Sequence, residues 1–274
     1  MCNLFSMEIV TLDLEGVLVP EIWIAFAEKT GIPELRRTTR DEPDYHKLMA
    51  YRMEILKEHG LHLDDIQSVI ATIKPLDGAA AFIAELRELT QVIILSDTFS
   101  EFALPLMRQL GYPTIFCNSL VVGKDGTIED VKMRCENGKL RAVESLQGIG
   151  FRVFASGDSY NDLAMIHQAD GGCLFRAPEK ILEEEKDLKL VTEYSDLLSE
   201  IKAFIMADSR RLGFIISIAM LLIGMTIGFI LLSLAYSGPV WVKAIVALVY
   251  FIIVILVIWG SKRYIALLKE SEKH

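Results

Sequence analysis

A short apolar run that ends in two carboxylates constrains the fold of this chain more than any other feature. Residues 10–19 are VTLDLEGVLV, so Asp13 and Glu15 follow the run directly and Gly16 permits a turn. This pattern predicts a buried strand whose carboxyl end carries charge. Buried charge needs compensation by a cation or by backbone N–H groups. The alternative is a strand-end aspartate that only shapes a turn, and the rest of the chain must decide between the two.

Strands and helices alternate along most of the remaining chain. Apolar, β-prone runs predict further strands, and amphipathic segments between them predict helices. The predicted strands are 91–95, 114–117, 152–155 and 172–175. An Asp125-Gly126 turn signal between two β-prone runs predicts a hairpin within 119–135. This alternation is typical of an α/β domain with a mostly parallel sheet.

Three helices are predicted between the first strand and the second. The first begins near Pro20, the second near Asp44, and the third is opened by Asp64 or Asp65. The character of the chain changes at Lys74. We therefore expect a separate small helical unit over residues 20–74, inserted into a core made of residues 7–19 and 75–208.

Charge is distributed unevenly along the chain. Residues 210–274 hold seven basic and two acidic side chains, a net charge of +5, whereas the remainder holds 21 basic and 35 acidic, a net charge of −14. An acidic body argues against nucleic-acid binding. The four cysteines contain no C-x-x-C pair, which favours reduced thiols and a cytosolic setting for the body.

Polar side chains follow the predicted strands at the positions where an open α/β sheet binds ligands. Asp13, Glu15 and Asp158 offer hard oxygen ligands that suit Mg²⁺. Ser96 combines a hydroxyl with the N–H groups of a following helix start, an arrangement that binds oxyanions. Lys139 begins another predicted helix and adds positive charge. These residues suit phosphoryl transfer, in which a carboxylate nucleophile divides one hard step into two easier ones.

Four ordered motifs resemble those of the haloacid dehalogenase superfamily of phosphatases. They are Asp13-Leu14-Glu15-Gly16-Val17, Leu95-Ser96-Asp97, a single Lys139, and Gly157-Asp158-Ser159-Tyr160-Asn161-Asp162. Within the superfamily the chain resembles phosphoserine phosphatases, and more narrowly the ThrH type, which also transfers the phosphoryl group from phosphoserine to homoserine. Segments 14–23, 94–99 and 105–111 look like that type. The resemblance extends over about residues 7–207 and does not include the C-terminal tail.

The resemblance implies a role for each motif residue. Asp13 would be the nucleophile and, with the backbone carbonyl of Glu15 and the carboxylates of Asp158 and Asp162, a Mg²⁺ ligand. Glu15 would be the general acid and base. Most of the superfamily has Asp at this second position, so Glu15 fits the ThrH type.

The resemblance also implies a set of residues that bind the substrate. These are Ser96, Asp97, Lys139, Asn161 and Arg52. The helical unit at 20–74 would be the cap that closes over the catalytic core, and Arg52 on this cap would bind the substrate carboxylate.

Three of these assignments have alternatives. Lys124 and Lys132 lie near Lys139 and compete with it for the role of phosphate-binding lysine. Arg52 can be an exposed helix residue, although no acidic residue lies three or four positions away. Asp162 can simply satisfy a helix N-terminus.

Two long apolar segments form the C-terminal tail. Leu212–Tyr236 contains no charge and 240–260 contains only Lys243, and each is long enough to cross the ~30 Å hydrocarbon core of a membrane. Residues 237–239 are Ser-Gly-Pro, so we expect a transmembrane hairpin. Basic residues flank it at 210–211 and 262–263. The positive-inside rule then places the catalytic domain, the tail 261–274 and both termini in the cytoplasm.

One spacing in the first apolar segment suggests self-association. Gly224 and Gly228 form a Gly-x-x-x-Gly pair, which can pack two helices closely and would support a homodimer.

The sequence therefore favours a membrane-anchored, Mg²⁺-dependent phosphatase that hydrolyses phosphoserine and can pass the phosphoryl group to homoserine. Two alternatives remain open. The tail suggests a different small or lipid-linked phosphomonoester at the bilayer surface as the substrate. A non-catalytic binding module tethered to the membrane is the second alternative, and the intact set of carboxylates argues against it.

Overall fold

In a computed structural model, which describes residues 7–38, 41–42, 44–235 and 237–271, contacts divide the chain into two compact units, Met1–Ile201 and Lys202–His274. The strands are β1 (Met7–Leu12), β2 (Gln91–Phe99), β3 (Thr114–Val122), β4 (Ile128–Lys132), β5 (Phe151–Gly157), β6 (Gly171–Phe175) and β7 (Leu190–Val191). The helices are α1 (Ile22–Thr30), α2 (Tyr45–Glu58), α3 (Leu63–Ile70), α4 (Ala79–Leu89), α5 (Ser100–Gln109), α6 (Gly138–Gly148), α7 (Leu163–Gln168), α8 (Glu179–Glu184), α9 (Tyr194–Ala235) and α10 (Val240–Ser271). Short 3-10 helices lie at Pro33–Arg36 and Tyr160–Asp162.

The first unit is built on a seven-stranded sheet in the order β4-β3-β2-β1-β5-β6-β7. Neighbouring strands are parallel except β3 and β4, which form an antiparallel hairpin. The predicted α/β class with a mostly parallel sheet is therefore confirmed. From β1 the chain builds outward to β3 and β4, then returns to β5 on the other side of β1. Ligands of open α/β sheets bind beyond the carboxyl ends of strands at such a reversal.

The central strands are apolar because both faces of the sheet are covered. In β1, Val10 pairs with Val92 and with Phe154, and Leu12 is fully buried. Apolar periodicity located β2, β3, β5 and β6 but made each of them too short, β2 and β3 most of all, and it did not predict β7. β2 continues through polar residues to Phe99, and β3 continues into the hairpin, because backbone pairing persists beyond the buried apolar run.

Helices α1, α2 and α3 form the predicted insertion between β1 and α4. The carboxylate of Asp44 caps α2 by accepting from the backbone N–H groups of His46 and Lys47. Asp65 accepts from the N–H of His62 at the start of α3. The tip of the β3–β4 hairpin touches this insertion, since the N–H of Leu63 donates to the carbonyl of Gly126 over 2.8 Å.

The second unit contains the apolar segments. The first apolar segment was expected to begin at Leu212, but α9 is continuous from Tyr194 to Ala235, because no proline or turn sequence interrupts it. Tyr236, the predicted end of the first span, lies outside the described residues, as do 272–274 of the predicted tail. Helices α9 and α10 are long and apolar enough to cross a membrane. The Phe229 and Tyr250 rings stack at 4.7 Å, which makes the two helices a hairpin.

Candidate active site

The carboxyl ends of three neighbouring strands bring the motif residues together. Asp13 follows β1, Ser96 and Asp97 lie near the end of β2, and Asp158 follows β5. The backbone N–H of Asp13 donates to the carbonyl of Ser156 over 3.0 Å, which extends the β1–β5 ladder to Asp13. The parallel sheet thus gathers on one edge residues that lie far apart in the sequence.

The ammonium of Lys139 is the centre of this cluster. It lies at the start of α6, and its Nζ is 2.8 Å from Asp13 Oδ1, 2.7 Å from Asp162 Oδ1 and 3.9 Å from Asp97 Oδ2. Burial opposes its charge, but the surrounding carboxylates outweigh burial and raise the pKa of Lys139. The competing candidates, Lys124 and Lys132, are exposed on the β3–β4 hairpin.

Asp162 holds the loop that follows β5. It is fully buried, and its Oδ2 accepts from the N–H groups of Asp158 and Ser159 and from the Ser159 hydroxyl, each over 3.1 Å. Its other oxygen binds Lys139. Asp162 therefore caps a helical turn, as the alternative interpretation held, and also binds the buried ammonium of Lys139.

Three carboxylates are arranged as a candidate metal site. Oxygens of Asp13, Asp158 and Asp162 lie within 4.8 Å of one another. Burial raises the pKa of Asp13, with Asp162 and Asp158 adding to the effect and Lys139 opposing it. Burial and then Asp162 raise the pKa of Asp158 to about 7. Crowded hard oxygens of this kind fit Mg²⁺, because a divalent cation would offset the repulsion.

The Glu15 side chain contacts the start of α1. Its Oε2 accepts from the backbone N–H of Ile22 over 2.9 Å. Burial, followed by the neighbouring carboxylate of Glu21, raises the pKa of Glu15 to about 8. The carboxyl is therefore protonated at neutral pH and can donate a proton, as a general acid must.

Gly16 is required by the approach of Asp158. Its φ is +75°, and a Cβ at this position would lie 2.2 Å from Asp158 Oδ2. The sequence indicated only that Gly16 permits a turn. The structure shows that glycine also leaves the space into which Asp158 reaches from β5.

Ser96, Asp97 and Asn161 lie around the same edge of the sheet. The hydroxyl of Ser96 is buried and accepts from the N–H of Thr98 over 3.2 Å. The Asp97 carboxylate accepts from Nδ2 of Asn161 over 2.9 Å, and Asn161 also binds the Ser159 hydroxyl. These contacts link the end of β2 to the loop after β5.

Arg52 is buried in the insertion, on α2. Its Nη2 donates to the carbonyl of Arg37 over 2.7 Å, and its guanidinium lies 4.5 Å from the centre of the Trp23 ring. Its Nε has no hydrogen-bond partner among the residues that the structure describes. Burial lowers the pKa of Arg52 to about 10. Arg52 is therefore not the exposed helix residue of the alternative interpretation.

Sequence reasoning missed Glu21 and Trp23. Both lie in segment 14–23, but neither of them was assigned a role from the sequence. In the structure Glu21 is beside the Glu15 carboxyl, and the Trp23 ring supports Arg52. Glu21 lies six positions after Glu15, and that short spacing was the available signal for it. Nothing in the sequence pairs Trp23 with Arg52.

Comparison with known proteins assigns the family. Residues 7–170 match the haloacid dehalogenase-like hydrolases. The chain belongs to this family of hydrolases. The family predicted from the four motifs is therefore confirmed, and the chain is an enzyme with the fold of the family's phosphatases.

Relatives of this hydrolase include two from Pseudomonas. Phosphoserine phosphatase ThrH of Pseudomonas aeruginosa is 53% identical over 207 residues, which are 76% of this chain and 100% of that protein. A phosphoserine phosphatase of Pseudomonas syringae pv. tomato is 51% identical over 207 residues, 76% of this chain and 86% of that protein. Because the P. aeruginosa protein is covered completely, the remaining part of this hydrolase has no counterpart in it.

The fold of this hydrolase is also similar to solved structures. The crystal structure of a phosphoserine phosphatase in its apo form has a TM-score of 0.59 and 25% identity, and the match covers 71% of this chain and 98% of that one.

The space beside Gly16 generates a prediction. In Gly16→Ala the new Cβ would displace Asp158 and strain the backbone, so we expect hydrolysis of a small chromogenic phosphomonoester to fall on the order of 100-fold. The control is Gly148→Ala, because a Cβ at Gly148 meets nothing within 4 Å. Equal activity of the two variants would show that Asp158 does not need this space.

Proposed function

We propose that this hydrolase is a Mg²⁺-dependent phosphoserine phosphatase that acts through an aspartyl-phosphate intermediate. The observation that carries the proposal is the buried pair of Asp13 and Lys139, 2.8 Å apart beside Asp158. The names of the two Pseudomonas relatives support phosphoserine as the substrate.

The environment of Asp13 supports its role as nucleophile. Both Lys139 and the N–H of Leu14 donate to its Oδ1, over 2.8 and 2.7 Å. We therefore assign the attack on phosphorus to Oδ2. The ammonium also lies where it can stabilise negative charge on the phosphoryl oxygens, together with the hydroxyl of Ser96. Both groups are buried, so their electrostatic effect is weakly screened.

Glu15 transfers the proton in both half-reactions. As Asp13 attacks phosphorus, the ester P–O bond breaks and the serine oxygen takes the proton of Glu15, which is present below a pH of about 8. The carboxylate that remains then accepts a proton from water. The resulting hydroxyl oxygen attacks phosphorus, phosphate leaves, and Asp13 is regenerated.

The donor set fits a magnesium ion. Asp13 and Asp158 would hold it, with the backbone carbonyl of Glu15, and Asp162 would orient Asp158 because Asp162's Oδ2 already accepts three hydrogen bonds. When bound, Mg²⁺ neutralises negative charge on the phosphoryl group. Asp97 and Asn161, which are hydrogen-bonded to each other, would border the substrate.

Arg52 supplies the recognition of phosphoserine. Its buried guanidinium carries a positive charge, and no ion pair joins it to a carboxylate within the described part of the chain. A substrate carboxylate would satisfy both the charge and the free Nε–H. The insertion that carries Arg52 would then close over a substrate held by its phosphate in the core.

The same site can transfer the phosphoryl group to homoserine. Glu15 can activate any acceptor hydroxyl that replaces water, and its side chain is one methylene longer than the Asp usual at this position.

We expect O-phosphohomoserine to form when homoserine is added to phosphoserine and enzyme, and free phosphate to decrease in proportion. Phosphate release that homoserine leaves unchanged, with no phosphohomoserine detectable, would exclude the transfer.

The nucleophile generates the next prediction. Asp13→Asn keeps the size of the side chain but removes the attacking charge, so phosphoserine hydrolysis should fall by a factor on the order of 10³ or more. Asp130→Asn, the same change at an exposed residue of β4, should retain the wild-type rate. Hydrolysis at the wild-type rate by Asp13→Asn would disprove the mechanism.

We also propose that α9 and α10 cross a membrane with the catalytic unit on the cytoplasmic side. Trp241 and Trp259 are exposed near the two ends of the predicted span 240–260 in α10, about 27 Å apart along the helix axis, which matches the aromatic residues at the two surfaces of a bilayer. Between the two helices, the hydroxyls of Thr226 on α9 and Tyr250 on α10 are 2.6 Å apart and form a hydrogen bond. Lys262 and Arg263 follow Trp259, and the positive-inside rule directs them to the cytoplasm. A homodimer through Gly224 and Gly228 stays a prediction.

The tail generates a separate prediction. A fragment of residues 7–207 should remain soluble and hydrolyse phosphoserine like the full chain. The reason is that the match of 207 residues covers the whole length of the P. aeruginosa ThrH protein. The full chain should instead sediment with membranes and require detergent for release.

Detergent-dispersed lipid phosphates are the competing substrates. A full chain that hydrolyses only these lipids would show that the substrate lies at the bilayer.

A further inference from the structure

A row of three aromatic rings connects the end of β2 to Arg52. Phe99 is the last residue of β2 and contacts Phe102 of α5 edge to face, with ring centres 5.7 Å apart. Phe102 contacts Trp23 of α1 in the same way at 5.5 Å. The Trp23 ring lies 4.5 Å from the guanidinium carbon of Arg52. We call Phe99, Phe102 and Trp23 the aromatic row.

The aromatic row is a rigid connection. Phe99 and Phe102 are each 1% exposed, and Trp23 is 9% exposed. Trp23 is supported by a second edge contact with Phe26, at 6.3 Å on the same helix. Buried aromatic rings in edge-to-face contact have little freedom to move. The row therefore fixes where the insertion lies relative to the end of β2, where Ser96 lies.

Stacking on Trp23 leaves the donors of Arg52 available. An aromatic face binds a guanidinium through the π-surface, whereas an ion pair with a carboxylate would use the in-plane N–H groups. One in-plane donor, Nη2, is fixed by the carbonyl of Arg37. Another, Nε, is buried and has no partner among the described residues. The third nitrogen, Nη1, donates to Met49 Sδ over 3.7 Å. Trp23 thus holds the charge of Arg52 in place while the Nε–H remains available for a ligand oxygen.

The same turn of α1 also positions the general acid. The N–H of Ile22 binds the Glu15 carboxylate, and the next residue, Trp23, supports Arg52. A shift of this turn would move both groups relative to Ser96. The distance from the phosphate-binding end of β2 to the guanidinium is consequently set by one helical turn and the aromatic row.

We propose that Trp23 is a positioning residue that determines specificity, holding Arg52 at the distance from the phosphoryl site that a carboxylate of phosphoserine requires. This inference rests on the proposed function, because it takes Arg52 as the carboxylate-binding residue. It adds that the selection for a carboxylate depends on a residue that does not itself contact the substrate.

Two substrates separate this role from a general effect on the fold. Phosphoserine and phosphoethanolamine carry the same phosphate on similar alcohols, but only phosphoserine has a carboxylate. Steady-state kcat and KM should be measured for the full chain in detergent, for the wild type, Trp23→Leu and Trp23→Phe. Phenylalanine retains an aromatic face under the guanidinium, so Trp23→Phe is the matched conservative variant.

We expect Trp23→Leu to raise KM for phosphoserine by a factor on the order of 10 to 30, the strength of a desolvated cation–π contact. Its kcat/KM for phosphoethanolamine should change much less, and Trp23→Phe should restore most of the phosphoserine KM. Equal losses for both substrates would show that Trp23 only supports the fold, and an unchanged phosphoserine KM would show that Arg52 does not need it.

A double variant distinguishes failure of this inference from failure of the proposed function. If Trp23 acts through Arg52, Trp23→Leu in an Arg52→Ala background should not raise the phosphoserine KM further. Additive effects would contradict the inference while leaving phosphoserine as the substrate. A wild-type enzyme with no preference for phosphoserine over phosphoethanolamine would instead contradict the proposed recognition by Arg52.

Discussion

The site depends on one buried ammonium among several carboxylates. Lys139 binds Asp13 and Asp162 directly, with Asp97 farther away, while Asp158 is held beside them. One positive charge does not compensate this many carboxylates, and burial together with this excess raises the pKa values of Asp13 and Asp158. The cluster is therefore suited to receive positive charge, which a divalent cation supplies. Burial then makes each of these interactions stronger than it would be in water.

The sheet explains why such a cluster can form at all. Three strands end at one edge, and the hydrogen bonds between their backbones stabilise the sheet enough to offset the repulsion between the carboxylates that it brings together. Gly16 and Asp162 complete the arrangement, because the first leaves space for Asp158 and the second fixes the loop that holds it. The insertion adds the buried guanidinium of Arg52. A substrate with two anionic ends would use the positive charge of Lys139 at one end and that of Arg52 at the other.

Much of this could be predicted from the sequence because its signals are local. Asp13, Ser96 and Asp158 each follow an apolar run, so strand periodicity and the geometry of a parallel sheet place them at one edge. The sequence already placed Lys139 at a helix start, but only the structure shows its ammonium among the carboxylates while Lys124 and Lys132 are exposed. The extent of β2 and the continuity of α9 were also missed, because polar residues disguise a strand end and an uninterrupted helix has no local stop signal.

Contacts between distant segments could not be predicted. Trp23 and Arg52 lie on different helices of the insertion, and their stacking depends on how those helices pack. The clash that a Cβ would cause at Gly16 likewise involves Asp158, which lies far along the chain. Periodicity reports which residues are buried, but it does not report which buried residues meet.

The proposed mechanism requires that phosphoserine phosphorylates Asp13 covalently. Rapid acid quenching of the enzyme during turnover of phosphoserine labelled in its phosphate, followed by peptide mapping, tests this step directly. We expect label on the peptide that contains Asp13, formed at a rate that supports turnover and lost on treatment with hydroxylamine. Label on Ser96, or turnover with no labelled peptide at any quench time, would contradict it.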